Sequence, residues 1–216
     1  MKLAGDYRFE SKVDEVWDAL FDPAVLAAVL PGCEKLELVD GIYLGEMKIK
    51  VGPVQGNFAG KVGLSNIDKL HSYTMDVDGR GAPGFVKAVA NVHVEPDGDG
   101  TRVTYDADAQ VGGKIASVGQ RLLDTSARAI VRQSLDGLRD NIRLRADAYR
   151  AHHAADAEHV DTPVAKPAPH VDYKRVETSQ LAKAVTKEVA KTFVLMPAMV
   201  VLLVALAGLA IYFVVR

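Results

Sequence analysis

The residues of this 216-residue chain that could do chemistry are six histidines, one cysteine and scattered carboxylates. Their spacing argues against catalysis. His152, His153, His159 and His170 fall in one Ala- and Pro-rich stretch, while His71 and His93 stand apart, without the cysteine or second histidine that a zinc site needs. Cys33 has no histidine neighbour to draw off its proton and reads as a packed thiol. As the single cysteine it also excludes an intrachain disulfide. The motifs G-x-S-x-G and G-x-x-x-x-G-K-[ST] are absent. Asp76 with Asp78, and Asp106 with Asp108, alternate as carboxylates on a solvated strand face do. The expectation is a protein with no catalytic group and no metal.

What remains is the chemistry of binding. Tyr43, Tyr73 and Tyr105 occupy strand positions from which a hydroxyl could meet a ligand carbonyl. Around them the inward positions are small: Gly45, Gly60, Ala88, Ala90, Ala107 and Ala109, faced by Gly119, Ser126, Ser134 and Gly137 on a helix. Small residues on both walls either let the helix sit close on a filled core or leave a void for an apolar ligand. The void would be lined by Met47, Ile49, Phe58, Val62, Met75, Ala88, Leu122 and Ile130 together with Tyr73 and Tyr105. Its mouth is expected near the glycine-rich turns 52–56, 79–84 and 112–113, with Phe85 and Val86 on a loop shoulder as candidate lid residues.

The elements that must position these residues follow from periodicity. Residues 2–10 read as a strand, 13–21 as a short helix capped by Ser11, and Asp22-Pro23 opens a second short helix that stops before Pro31-Gly32. Six strands follow, the first pair joined at Asp40-Gly41, each alternating apolar or small with polar residues. That pattern specifies an antiparallel sheet dry on one face. Residues 115–149 form the one helix long enough to cover it, with Leu123, Ala127, Ile130, Ser134 and Leu138 on its inner face. Arg121, Arg128, Arg132, Arg139, Arg143 and Arg150 make a stripe along it, read as a salt-bridged face or as a docking surface for an acidic partner or lipid headgroups. The fold class is therefore α+β, a curved antiparallel sheet around a long C-terminal helix.

Composition divides the chain into a head, residues 1–149, a flexible linker, 150–176, and a basic juxtamembrane segment with an anchor, 177–216. Residues 193–215 contain no charged side chain and would reach roughly 35 Å as a helix, enough for a bilayer core of about 30 Å. Lys183, Lys187 and Lys191 precede the run, which favours a single-pass C-terminal span in the inner membrane with the head in the cytoplasm. The first ten residues carry no apolar signal stretch. Lys and Arg total 26 against 28 Asp and Glu, so no basic excess marks a nucleic-acid partner.

Three segments carry a family resemblance: Leu30-Pro31-Gly32-Cys33-Glu34, the Gly52-Pro53 turn running to Gly60, and Gly79-Arg80-Gly81-Ala82-Pro83-Gly84 before the penultimate strand. With the element order they resemble the CoxG family of carbon monoxide dehydrogenase subunits, within the START-like, or Bet v 1-like (SRPBCC), helix-grip superfamily, over residues 1–145. The resemblance implies a non-catalytic partner of a molybdenum hydroxylase such as CO dehydrogenase. Joined to the expected void and anchor, it gives a membrane-tethered carrier of a lipophilic ligand, a respiratory quinone (menaquinone or ubiquinone). The alternatives are a structural recruiter of that enzyme to membrane lipids with a filled core, and an enzyme of the kind found among other helix-grip proteins.

Overall fold

A computed structural model describes residues 1–157 and 171–176, with side chains over 1–148 and 171–176. Strand β1 (Lys2–Phe9) leads to helices α1 (Val13–Phe21) and α2 (Pro23–Val29). Then come β2 (Cys33–Val39), β3 (Ile42–Val51), β4 (Val54–Asp68), β5 (Ser72–Gly81), β6 (Gly84–Asp97) and β7 (Gly100–Gly112). A 3₁₀ turn (Lys114–Val118) and helix α3 (Gln120–Ala157) complete the head. The strands form one antiparallel sheet in the order β1-β7-β6-β5-β4-β3-β2, with β1 and β2 at its edges.

Local signals explain most boundaries. Asp22 Oδ1 accepts from the Ala24 and Val25 amides and Pro23 sits at the first helical position, so α2 starts there. Asp40 and Gly41, both at positive φ, make the β2–β3 turn. The start of α1 differs from expectation. Its cap is Lys12, whose amide donates to Glu15 Oε2 at 3.0 Å, while the Ser11 carbonyl accepts from Thr101 Oγ1 at 2.7 Å. The long helix also begins later than expected, because Gly119 at φ 90 separates the 3₁₀ turn from α3.

The largest apolar cluster joins α1, α2 and the middle of α3 to one end of the sheet. Phe9, Val16, Trp17, Val29, Leu138 and Ile142 are buried there. Trp17 stacks on Phe21 with centroids 4.8 Å apart, and Tyr73 meets both rings edge-on at 5.7 and 5.0 Å. A second, smaller cluster closes the opposite end around Val51, Phe58 and Ile115, with Leu122 and Leu123 packed against it.

Between the clusters α3 is strapped to the β1 edge by polar side chains. Arg128 Nη1 donates to the Ala4 carbonyl at 3.2 Å. Tyr7 Oη donates to Asp136 Oδ1 at 2.6 Å and accepts from Arg139 Nη1 at 3.0 Å. Arg143 pairs with Glu10. Three arginines of the stripe therefore face the protein's own carboxylates, carbonyl and phenol, which favours the salt-bridged reading over a docking surface for those three.

The linker assignment needs one correction. Residues 171–176 are seated in the groove between α2 and α3 and belong to the same compact unit as the head, Met1–Thr178. The Lys174 amide donates to Asn141 Oδ1 at 2.7 Å and Asn141 Nδ2 donates back to the Lys174 carbonyl at 3.1 Å. The Val176 amide donates to the Ala28 carbonyl at 2.9 Å. A Cβ on Gly137 would stand 2.6 Å from Val176 Cγ2, so the absent side chain makes the notch for this valine.

Burial and the Asp136 carboxylate push the Tyr7 phenol from 10.0 up to about 12. Unfolded, the same tyrosine ionises first, so its contribution is whole below pH 10 and drains away as the pH rises towards 12. A spectrophotometric titration should show a tyrosine step near pH 12 that Tyr7→Phe removes.

Candidate functional site

The concave face of the sheet is built from rungs of small residues. One rung runs Gly45, Gly60, Gly79, Val86 and Val111 across β3 to β7, and the next runs Tyr43, Val62, Val77, Ala88 and Ala109. Strand parity puts all of them on the inner face, yet Gly60, Gly79, Val77 and Ala88 keep partial exposure at the middle of the sheet. A Cβ on Gly79 would meet only the Val86 carbonyl oxygen within 4 Å, and the three atoms nearest a Cβ on Gly60 are all β5 backbone. Among the described residues, no side-chain atom comes within 4 Å of a Cβ built on Gly79. Helix α3 leans on α1, α2, β1, the 3₁₀ turn and β3.

The expected lining residues sort into three groups around this space. Met47, Val62, Val86 and Ala88 face inward and belong to neither apolar cluster, and Ile130 shares the α3 face of Leu123 and Gly137 by its spacing of seven. Ile49, Phe58 and Leu122 form part of the smaller cluster. Met75, Tyr73 and Tyr105 belong to the larger one. Tyr73 is 5% exposed and enclosed by Trp17 and Phe21, which makes it a core ring rather than a ligand contact. Tyr43 Oη donates to the Phe21 carbonyl at 2.7 Å, so that hydroxyl is committed too. The Tyr105 ring lies over Gly5, where a Cβ would be 2.9 Å from its Cζ, at the β1 side of the sheet. Burial raises the pKa of all three phenols.

Phe85 requires a correction. The strand starts at Gly84, not after a loop shoulder, and parity then turns Phe85 to the outer face at 40% exposure with its ring packed over Gly112. Val86, its neighbour, does face inward. The glycine-rich turns are also fastened. Ile115 donates its amide to the Pro83 carbonyl at 2.9 Å, and a Cβ on Gly113 would be 2.6 Å from Gly84 Cα. Gly84 sits at φ 138 against the Gly112 carbonyl. These glycines permit close backbone approach at the smaller cluster.

Two polar atoms carry no signal that pattern reading could use. Ser126 Oγ and Ser134 Oγ are buried in the middle of α3 with no hydrogen-bond partner. Only their small size marks them in the sequence. A buried hydroxyl left unpaired in an otherwise apolar wall calls for a physical reason. Elsewhere the chemistry is quiet. Among the described residues no group of histidine, cysteine and carboxylate side chains could hold a metal. His71 and His93 are exposed. Burial raises the Cys33 thiol above its usual range, partly offset by the Arg175 guanidinium. Asp78 lies on the outer face between Arg80 and Lys87, and the Arg80 hydrogen bond lowers its carboxyl.

A curved sheet gripping a helix sets the frame, and comparison with known proteins narrows it. The sequence pattern of the carbon monoxide dehydrogenase subunits called CoxG matches residues 5–143. The chain belongs to that family. A crystal structure of a conserved protein from Geobacillus kaustophilus is similar at 30% identity and TM-score 0.64, over 66% of this chain and 95% of that one. A START superfamily protein from Mycobacterium smegmatis shares the fold at TM-score 0.52 and 10% identity, over 66% of this chain and 97% of that one. A histidinol dehydrogenase of Pseudomonas syringae pv. tomato is 30% identical over 153 residues, 68% of this chain, and the chain spans 34% of that relative's length. The CoxG-family head is thus a START-like domain. Among its described residues no helix is long and apolar enough to cross a membrane, and residues 193–215 lie outside them.

Gly84→Ala should destabilise the head by roughly 1–3 kcal/mol through its backbone angle alone, with added cost from the Gly112 carbonyl. Urea denaturation followed by tryptophan fluorescence of Trp17 measures it. A loss below about 0.5 kcal/mol would show that the turn is loose.

Proposed function

We propose that this chain is a non-catalytic carrier whose head shelters an apolar ligand between the sheet and α3, and that the ligand is a respiratory quinone (menaquinone or ubiquinone). Residues 193–215 hold it to the inner membrane, with the head in the cytoplasm beside a molybdenum hydroxylase of the CO dehydrogenase type. The observation that carries the reading is the bare floor over Gly60 and Gly79, capped at each end by an apolar cluster. CoxG membership supplies the enzyme class. The unpaired hydroxyls of Ser126 and Ser134 give a carbonyl-bearing ligand two donors in an oily wall.

The physical need is plain. A prenyl tail in water costs about 0.8 kcal/mol per exposed CH₂, so a quinone reaches a water-soluble oxidoreductase only under cover. Leu38, Val39, Ile42 and Leu44, each at least 40% exposed around the β2–β3 turn, offer the head an apolar surface for resting on lipid.

Organic extraction of the detergent-purified full chain should release quinone in near-stoichiometric amount. Ala88→Leu fills the floor and should cut bound quinone at least about tenfold while leaving the melting temperature within a few degrees. A chain that never co-purifies with or takes up quinone overturns the carrier and leaves the structural recruiter. Undiminished quinone in Ala88→Leu moves the ligand out of this space.

A further inference from the structure

The groove between α2 and α3 is a binding surface for an extended segment, and the segment it holds is the chain's own residues 171–176. Its recognition is specific on every side. Asn141, 1% exposed, reads one residue's backbone twice, at the Lys174 amide and carbonyl. It is itself fixed by donating Nδ2 to the Gly137 carbonyl at 3.0 Å. The Ala28 carbonyl takes the Val176 amide, Gly137 leaves a notch for the Val176 side chain, and Tyr173 and Val176 join the larger apolar cluster. Lys174 and Arg175 turn their side chains outward.

We infer that residues 171–176 act as a releasable clasp that sets how far the head can travel from the C-terminal apolar run. Six ordered residues lose backbone freedom, and two partly buried side chains with three intersegment hydrogen bonds return a gain of the same order, so opening is within reach of ordinary fluctuation or a competing partner. Closed, the chain leaves the head at Val176 and 16 residues (177–192) precede the apolar run, at most about 55 Å. Open, it leaves at the end of α3, and 35 residues (158–192) precede that run, at most about 120 Å. The consequence for reach rests on the anchored-carrier reading; the clasp itself rests on the groove alone.

The test uses the full chain in lipid nanodiscs, native and with Asn141→Ala or Val176→Asp, the second leaving α3 untouched. In the native chain the Lys174 and Val176 amides should exchange hydrogen at least tenfold more slowly than a free peptide, and trypsin should spare the bonds after Lys174 and Arg175. Both variants should lose that protection. Spin labels at Asp99 and Thr192, in a Cys33→Ser background, should give a longer and broader distance in both. Free-peptide exchange in the native chain overturns the clasp. So does a native dimer that Val176→Asp dissociates, since the groove would then hold a second copy's segment. Unchanged label distances in the opened variants overturn its control of reach. Quinone content, read on the same samples, reports on the carrier separately.

Discussion

The central constraint on this fold is that α3 is fastened to the sheet at two apolar clusters and along the β1 edge. Apolar burial acts at two ends, where Leu138 and Ile142 meet the Trp17 cluster and Leu122 and Leu123 meet Phe58 and Ile115. Along the β1 edge the spacing is kept by groups of fixed length: a guanidinium on the Ala4 carbonyl, a phenol between Asp136 and Arg139, and an ion pair from Arg143 to Glu10.

Much of this is legible in the chain. Period-two alternation sets the inner faces of β3 to β7, and the rungs through Gly60, Gly79 and Ala88 follow once those faces are aligned. Most of what is not legible has one cause, contacts made by elements distant in sequence. Parity rightly turns Tyr73 inward, but Trp17 and Phe21 arrive from α1 and enclose it. Phe85 is a different case: β6 begins at Gly84, so the parity that turns Val86 inward turns Phe85 outward rather than leaving it on a loop shoulder. The partner of Asn141 lies 33 residues away in a stretch whose Ala, Pro and His content suggests no structure. Only Val171, Tyr173 and Val176, apolar residues in a polar run, hint at it.

For a member of the CoxG family, the site has an instructive poverty of polar groups. Tyr43 and Tyr73, which by sequence look best suited to address a ligand, are engaged in holding α1 to the sheet. The unengaged hydroxyls belong to serines of the helix.

The seating of residues 171–176 also decides how the head would respond to tension. Any pull transmitted along the chain from its C-terminal side enters the head at Val176, not at the end of α3. The load falls first on the Ala28 and Asn141 hydrogen bonds, set between two helices. Those bonds therefore stand in the load path ahead of the contacts that hold α3 to the β1 edge, which a pull from that side would reach only after them.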